Sequence, residues 1–177
     1  MIDDETASGV TVERVPLPPW AGSVLVQAGS RADLVVLPRA VRDGRGEYRT
    51  VDLPVVKALR AAGVNADWAH EAAERTFASE YGAREDALVI SLFVAQALGE
   101  ESVVAVARWL LGRMHQLLAG RRSHEGSPSV DVDVARLVVH GDRREIEGLR
   151  VTGRGEQGVA AVAEAVASLL RGDPPPK

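Results

Sequence analysis

The chain contains no cysteine. That absence excludes thiol catalysis, cysteine–zinc sites and disulfide staples. Aromatic residues are scarce too, with three Trp, two Tyr and two Phe in 177 residues, too few for a base-stacking platform. Lysine is nearly absent, so arginine carries almost all the positive charge. The formal net charge of −4 argues against a general nucleic-acid or anionic-membrane binder. No apolar run reaches the ~20 residues that a membrane-spanning helix requires, because Glu100 and Glu101 interrupt the most apolar stretch. The start of the chain, MIDDETASGVTVER, is acidic and polar. It reads as neither a secretory signal nor a basic transit peptide, so a cytoplasmic location is expected. No G-x-S-x-G, Walker or EF-hand pattern occurs.

Hydrophobic residues make up 46% of the chain and charged residues 26%, a balance that can bury a core without metal or disulfides. The length suits one compact domain, divided by pattern into an arm (1–20), an N-terminal α+β part (21–85), a C-terminal part (86–171) and a tail (172–177). The chain is organised around Asp86 to Gly120. Residues 87–98 are apolar apart from Ser91 and Gln96, and the β-branched run Val89–Ile90 predicts a buried strand. Val103, Val106, Leu110, Met114 and Leu117 then recur at helical spacing, with two glutamates in the first turn and Gly120 as a stop.

Before this centre, VPLPPW cannot lie inside a sheet or helix. SVLVQAG and ADLVVLP predict two strands, DGRGEY a loop, and YRTVDL a third short strand. A helix is expected from Asp52, capped by its side chain, to Gly63. Residues 64–82 begin as a strand and continue in an alanine- and glutamate-rich segment that favours helix or irregular structure. After the centre, a polar loop (120–129) leads to alternating Val130, Val132 and Val134, a tight turn at Gly141–Asp142, and a return strand to Val151. Residues 158–170 form a last amphipathic helix. The order strand, helix, strand, strand, helix predicts an α+β fold with helices packed on one face of a sheet, related to the ferredoxin-like split βαβ arrangement.

Each candidate site has a plainer reading beside it. Gly153, Gly155 and Gly158 satisfy G-x-G-x-x-G between a predicted strand and helix, where a pyrophosphate could sit. The following ~20 residues leave no room for a second parallel strand, so a glycine-rich strand-to-helix loop is preferred. His70 and Glu74 would share one face if residues 70–74 were helical and could hold a metal, with Glu71 as base. A solvated helix face explains them as well. Asp131 and Asp133 could clamp a metal–nucleotide, but the wet face of a strand is simpler. Arg121–Arg122 and Arg143–Arg144 could meet an acidic partner or phosphate, with solvated loop charge as the default. Trp20, Trp68 and Trp109 read as core or interface anchors. No cofactor is called for.

From residue 87 onward, the series VISLFVAQALGEESVVAVARWLLGRM, VDVDVARLVVHGDRREIEGLRV and GVAAVAEAVASLL resembles the effector-associated constant component domains. These are small bacterial domains found beside variable effectors in conflict systems. The resemblance rests on element order and apolar pattern and has no signature motif. It implies an accessory or adaptor role and recognition of a partner protein. The leading expectation is therefore a non-enzymatic protein-interaction module, with Trp20, Trp68, Arg143 and Arg144 as interaction candidates and self-association allowed. The alternatives are a small phosphate- or nucleotide-binding protein or enzyme using the 153–158 loop, and a subunit of a larger assembly.

Overall fold

The computed structural model describes residues 9–78, 87–120 and 129–175. In chain order the elements are β1 (Val10–Arg14), α1 (Ala21–Gly29), β2 (Leu34–Val36), β3 (Ala40–Arg42), β4 (Arg45–Arg49), α2 (Leu53–Ala61), β5 (Ala66–Trp68), β6 (Arg75–Ala78), β7 (Ala87–Val94), α3 (Glu100–Gly120), β8 (Ser129–His140), β9 (Arg143–Arg154) and α4 (Gly155–Arg171). Single 3-10 turns lie at Thr50–Asp52 and Ala72–Glu74. The expected α+β class holds. Arg121, Arg122 and most of the polar loop before β8 lie outside the described residues. Among those described, no helix is long and apolar enough to cross a membrane.

A six-stranded sheet runs in the order β1-β9-β8-β7-β2-β5, and β3-β4-β6 form a second, small sheet. β7 and β8 pair directly and in parallel, joined by α3. No strand is inserted between them, so the C-terminal part is a plain βαβ unit with β9 added outside β8, not the split arrangement expected. β2 and β5 form a second parallel pair across α2, and β2 runs antiparallel to β7.

One face of the large sheet carries the main core. Leu92, Val132, Val134, Leu149 and Val151 point into it and meet Leu59 of α2, Val106, Leu110 and Met114 of α3, and Val162, Val166 and Leu169 of α4. At roughly 1.5–3 kcal/mol for each large apolar side chain buried, this face dominates the stability. Val103, Val106, Leu110 and Met114 of α3 are buried as their spacing predicted, and Leu117 lies outside the described side chains. α4 begins three residues earlier than expected, at Gly155, and ends where Gly172 adopts φ +88°. Its C-terminal end is tied down from the other strands. Buried Arg136 of β8 meets Glu147 at 2.9 Å and donates to the Asp173 carbonyl.

The opposite face is half covered. α1 lies there, with Ala21, Leu25 and Ala28 packed on Val35, Phe93 and Ala135. SVLVQAG is therefore a helix and not the strand expected. Its buried residues follow a period of four and three, which Val24 and Val26 obscured, and Val26 stands 68% exposed. The arm also joins the body. β1 pairs with β9 from Val10↔Gly153 to Arg14↔Leu149, and the chain then crosses the sheet face as the proline-rich segment 15–20.

Other expectations are corrected in the N-terminal half. DGRGEY is not a loop: Asp43 and Gly44, at φ 51° and 75°, make the two-residue turn of the β3–β4 hairpin. YRTVDL spans the end of β4 and a 3-10 turn. Asp52 precedes α2 but makes no side-chain capping bond to it. Residues 72–78 form a 3-10 turn and β6, which pairs in parallel with β4.

Candidate functional site

The exposed half of the second face is polar because of register. Ser91 of β7 lies beside Asp133 of β8, Asp133 beside Arg150 of β9, and Arg150 beside Glu13 of β1. Residues in register share a face, so these four form one row across the sheet. The next row toward α1, Phe93–Ala135–Gly148, is apolar and covered. The boundary between the two rows is where the chain after β1 turns over the sheet. The Val15 amide donates to the Gly148 carbonyl at 3.0 Å. A Cβ on Gly148 would lie 2.5 Å from the Val15 carbonyl oxygen, so the close crossing requires glycine there.

This crossing leaves a cavity of about 430 Å³ between arm and sheet. Pro16, Leu17, Pro18 and Trp20 form one wall, and Leu37 and buried Pro38 another. Ser91, Asp133 and Arg150 form the floor. Arg39, Arg49 and Asp52 approach from the chain after β2 and the end of β4. Arg150 holds Asp133 through two bonds, Nε–Oδ1 at 2.7 Å and Nη2–Oδ2 at 3.0 Å, the paired geometry that fixes both side chains. That contact also raises the Arg150 pKa above its ordinary value. The described lining contains a hydroxyl and two carboxylates but no imidazole.

The glycine trio is occupied otherwise. A Cβ on Gly153 would collide with Val162 and stand 2.5 Å from the Gly158 carbonyl oxygen, while one on Gly158 would meet Gly9 and Gly153 backbone at 3.1–3.3 Å. The pattern lets α4 cross close over β9 and the start of β1. β9 is antiparallel to both its neighbours, so the parallel strand environment of a dinucleotide fingerprint is missing. Gly155 takes φ +69°, the left-handed turn into the helix.

Residues 70–74 are not α-helical, so His70 and Glu74 do not share a helix face as a metal pair. His70 is 5% exposed. Its amide donates to the Tyr48 hydroxyl at 3.2 Å, and that hydroxyl lies 3.1 Å from His70 Nδ1. A hydroxyl has one donor and two acceptor sites, so it pairs with Nδ1 in either tautomer of the neutral ring. Burial pushes the Tyr48 pKa up to about 12 and, with Arg75 and Arg31 adding to the effect, lowers that of His70. Among the described residues no cluster of three or more His, Asp or Glu is placed to hold a metal.

Trp68 is a core residue and not a docking residue. It meets Tyr48 edge-on at 4.8 Å and Phe77 at 5.7 Å, with Arg75 over its ring at 5.4 Å. Trp20 is half-buried, packed on the second cluster and lining the cavity. Trp109 packs at the edge of the main core. Arg143 and Arg144 are exposed at the tip of the β8–β9 hairpin, where Gly141 takes φ +60° as its turn position predicted. The valines flanking Asp131 and Asp133 point inward, as the strand reading required. Arg150, Arg39 and Arg49 escaped the sequence reading, and Ser91 was visible only as an interruption in an apolar run. Their convergence follows from strand register and chain crossing, which no local pattern records.

The large sheet ends on β1. Arg154 N–H donates to the Gly9 carbonyl and Val15 N–H to that of Gly148. Antiparallel alternation therefore turns Gly9, Thr11, Glu13 and Val15 toward β9 and leaves the amides and carbonyls of Val10, Val12 and Arg14 facing outward. Among the described residues no strand pairs with that outer edge. No family model, curated protein or solved structure matches the chain.

Proposed function

We propose that the protein is a non-enzymatic interaction module, an adaptor that holds a partner protein by adding the partner's extended segment to the edge of β1. The observation that carries this reading is the outward row of backbone groups at Val10, Val12 and Arg14. An edge that no described strand covers is a template for strand addition: main-chain bonds give affinity, and alternate side chains give selectivity. The projecting hairpin tip, with Arg143, Arg144 and Val139 exposed, offers a second contact for an acidic partner. The sequence resemblance to accessory domains of bacterial conflict systems supports the same role.

The test is crosslinked affinity capture from the native cell, comparing wild type with Val12→Pro. Proline there removes an outward N–H while sparing every bond to β9, so the fold survives. Val10→Pro serves as a second variant, and the thermal midpoint of each is checked. The expected result is loss of the partner that wild type captures. Retention of that partner by both folded variants would sink the proposal.

A further inference from the structure

We infer, resting on the open edge of the adaptor reading, that in the absence of a partner segment β1 pairs with β1 of a second copy of this chain, across a two-fold axis at Val12. The two ends of the large sheet differ. At β5 the outward groups of Ala66 and Trp68 are already taken: the Ala66 N–H by the Val64 carbonyl at 2.9 Å, the Ala66 carbonyl by Arg60 Nε at 2.7 Å, the Trp68 N–H by Asp67 Oδ1 at 2.8 Å and the Trp68 carbonyl by Arg31 Nη2 at 3.5 Å. Such an edge is blunted against strand addition. At β1, among the described residues, nothing takes the outward groups of Val10, Val12 and Arg14. The chain leaves this strand inward across the sheet face, away from its edge.

The spacing of the outward residues selects a second copy. An antiparallel neighbour must set outward groups against outward groups. With Val12 on the axis, Val12 meets its own counterpart and Val10 meets the copy's Arg14, so every outward residue of β1 is paired. Sliding the copy by two residues one way sets Glu13 directly against Glu13, which like charge disfavours. Sliding it the other way leaves Arg14 without a counterpart in β1. In the symmetric register Glu13 faces the copy's Thr11. Arg14, whose charge Glu147 answers at 2.9 Å, lays its stem beside the copy's Val10. Val10 and Val12 are half-buried against the main core, and the pairing gives them further apolar neighbours. A five-residue pairing is weak, so the edge is open in dilute solution and closes as concentration rises.

The test is sedimentation of the purified full chain over a concentration series up to ~1 mM, where even weak association shows. The expected result is a rise from monomer to dimer mass, lost in Val12→Pro with its thermal midpoint checked. Replacements at exposed Thr11 leave the core untouched. Thr11→Lys, set against the copy's Glu13, tightens the dimer and Thr11→Glu loosens it, each by roughly two- to tenfold. Because the chain has no cysteine, Val12→Cys introduces a single thiol. Its Cα lies roughly 5.5 Å from its counterpart in this register, within disulfide reach, so mild oxidation links the dimer. Val10→Cys and Thr11→Cys link it far more slowly. A chain that stays monomeric throughout the series, a dimer indifferent to Val12→Pro and to both Thr11 replacements, or faster linking by Val10→Cys or Thr11→Cys would each overturn the inference. Partner capture from the cell reads the adaptor role separately. Capture lost in Val12→Pro by a chain that never dimerises overturns self-pairing and leaves the adaptor reading standing, whereas the expected dimer with capture indifferent to Val12→Pro overturns the adaptor reading alone.

Discussion

At the scale of single residues, the His70 ring is tightly enclosed. Gly46 must be glycine beside it, because a Cβ there would collide with Nδ1 and stand 2.9 Å from both His70 Cγ and Tyr48 Cε2. Burial lowers the His70 pKa below its ordinary 6.5, because the charged ring is poorly solvated in this enclosure. Glu74 opposes this shift, while Arg75 and Arg31 reinforce it. The unfolded chain then binds a proton that the folded chain does not. The His70 contribution to stability is complete above about pH 6.5 and is lost as pH falls from there toward the folded pKa, with a slope of at most ~1.4 kcal/mol per pH unit. Thermal melts from pH 7.5 to 5 should show a steeper decline for wild type than for His70→Gln. Parallel curves would mean that the ring protonates freely in the folded protein.

At the scale of elements, α4 sits close to β9 because Gly153 and Gly158 lack side chains. Two effects compete at these positions. In a helix, Gly158→Ala gains up to ~1 kcal/mol of intrinsic preference, against a milder crowding by backbone atoms at 3.1–3.3 Å. Gly153→Ala has no such gain and drives a methyl onto Val162 and the Gly158 carbonyl, for which overpacking costs of about 1–3 kcal/mol are typical. Urea denaturation should therefore find Gly153→Ala clearly destabilised and Gly158→Ala closer to wild type. A neutral Gly153→Ala would show that helix and strand are not pressed together there. Elsewhere, α1 and β6 show the opposite limit of local reading. Helix preference in the 70–78 segment amounts to a few tenths of a kcal/mol per residue, and pairing of β6 with β4 plus the edge-on contact of Phe77 with Trp68 outweighs it.

At the scale of the whole molecule, protection should follow the two-sided covering of the sheet. The row through Leu92–Val94 and Val134–Arg136 lies between α3 and α4 on one side and α1 on the other. Hydrogen exchange is expected to be slowest there, and fastest on β1 and on the three-residue edge β5. Uniform protection across the sheet would contradict this layering. The main-core layer was legible in the residues alone, whereas α1 on the second face departs from the expectation of helices on one face. Alternating valines at 130–134, the helical stripe of α3 and the Gly141 turn are local patterns, and burial on one face makes such patterns binding. The α+β class and the C-terminal element order follow from them. The strand order, the helical state of 21–29 and the cavity do not. Each depends on which distant segments meet: β1 with β9, Val15 with Gly148, and Arg150 with Asp133 across the sheet. Local periodicity records which way a side chain turns. It carries no information about what will be waiting there, and that information enters only when the chain closes on itself.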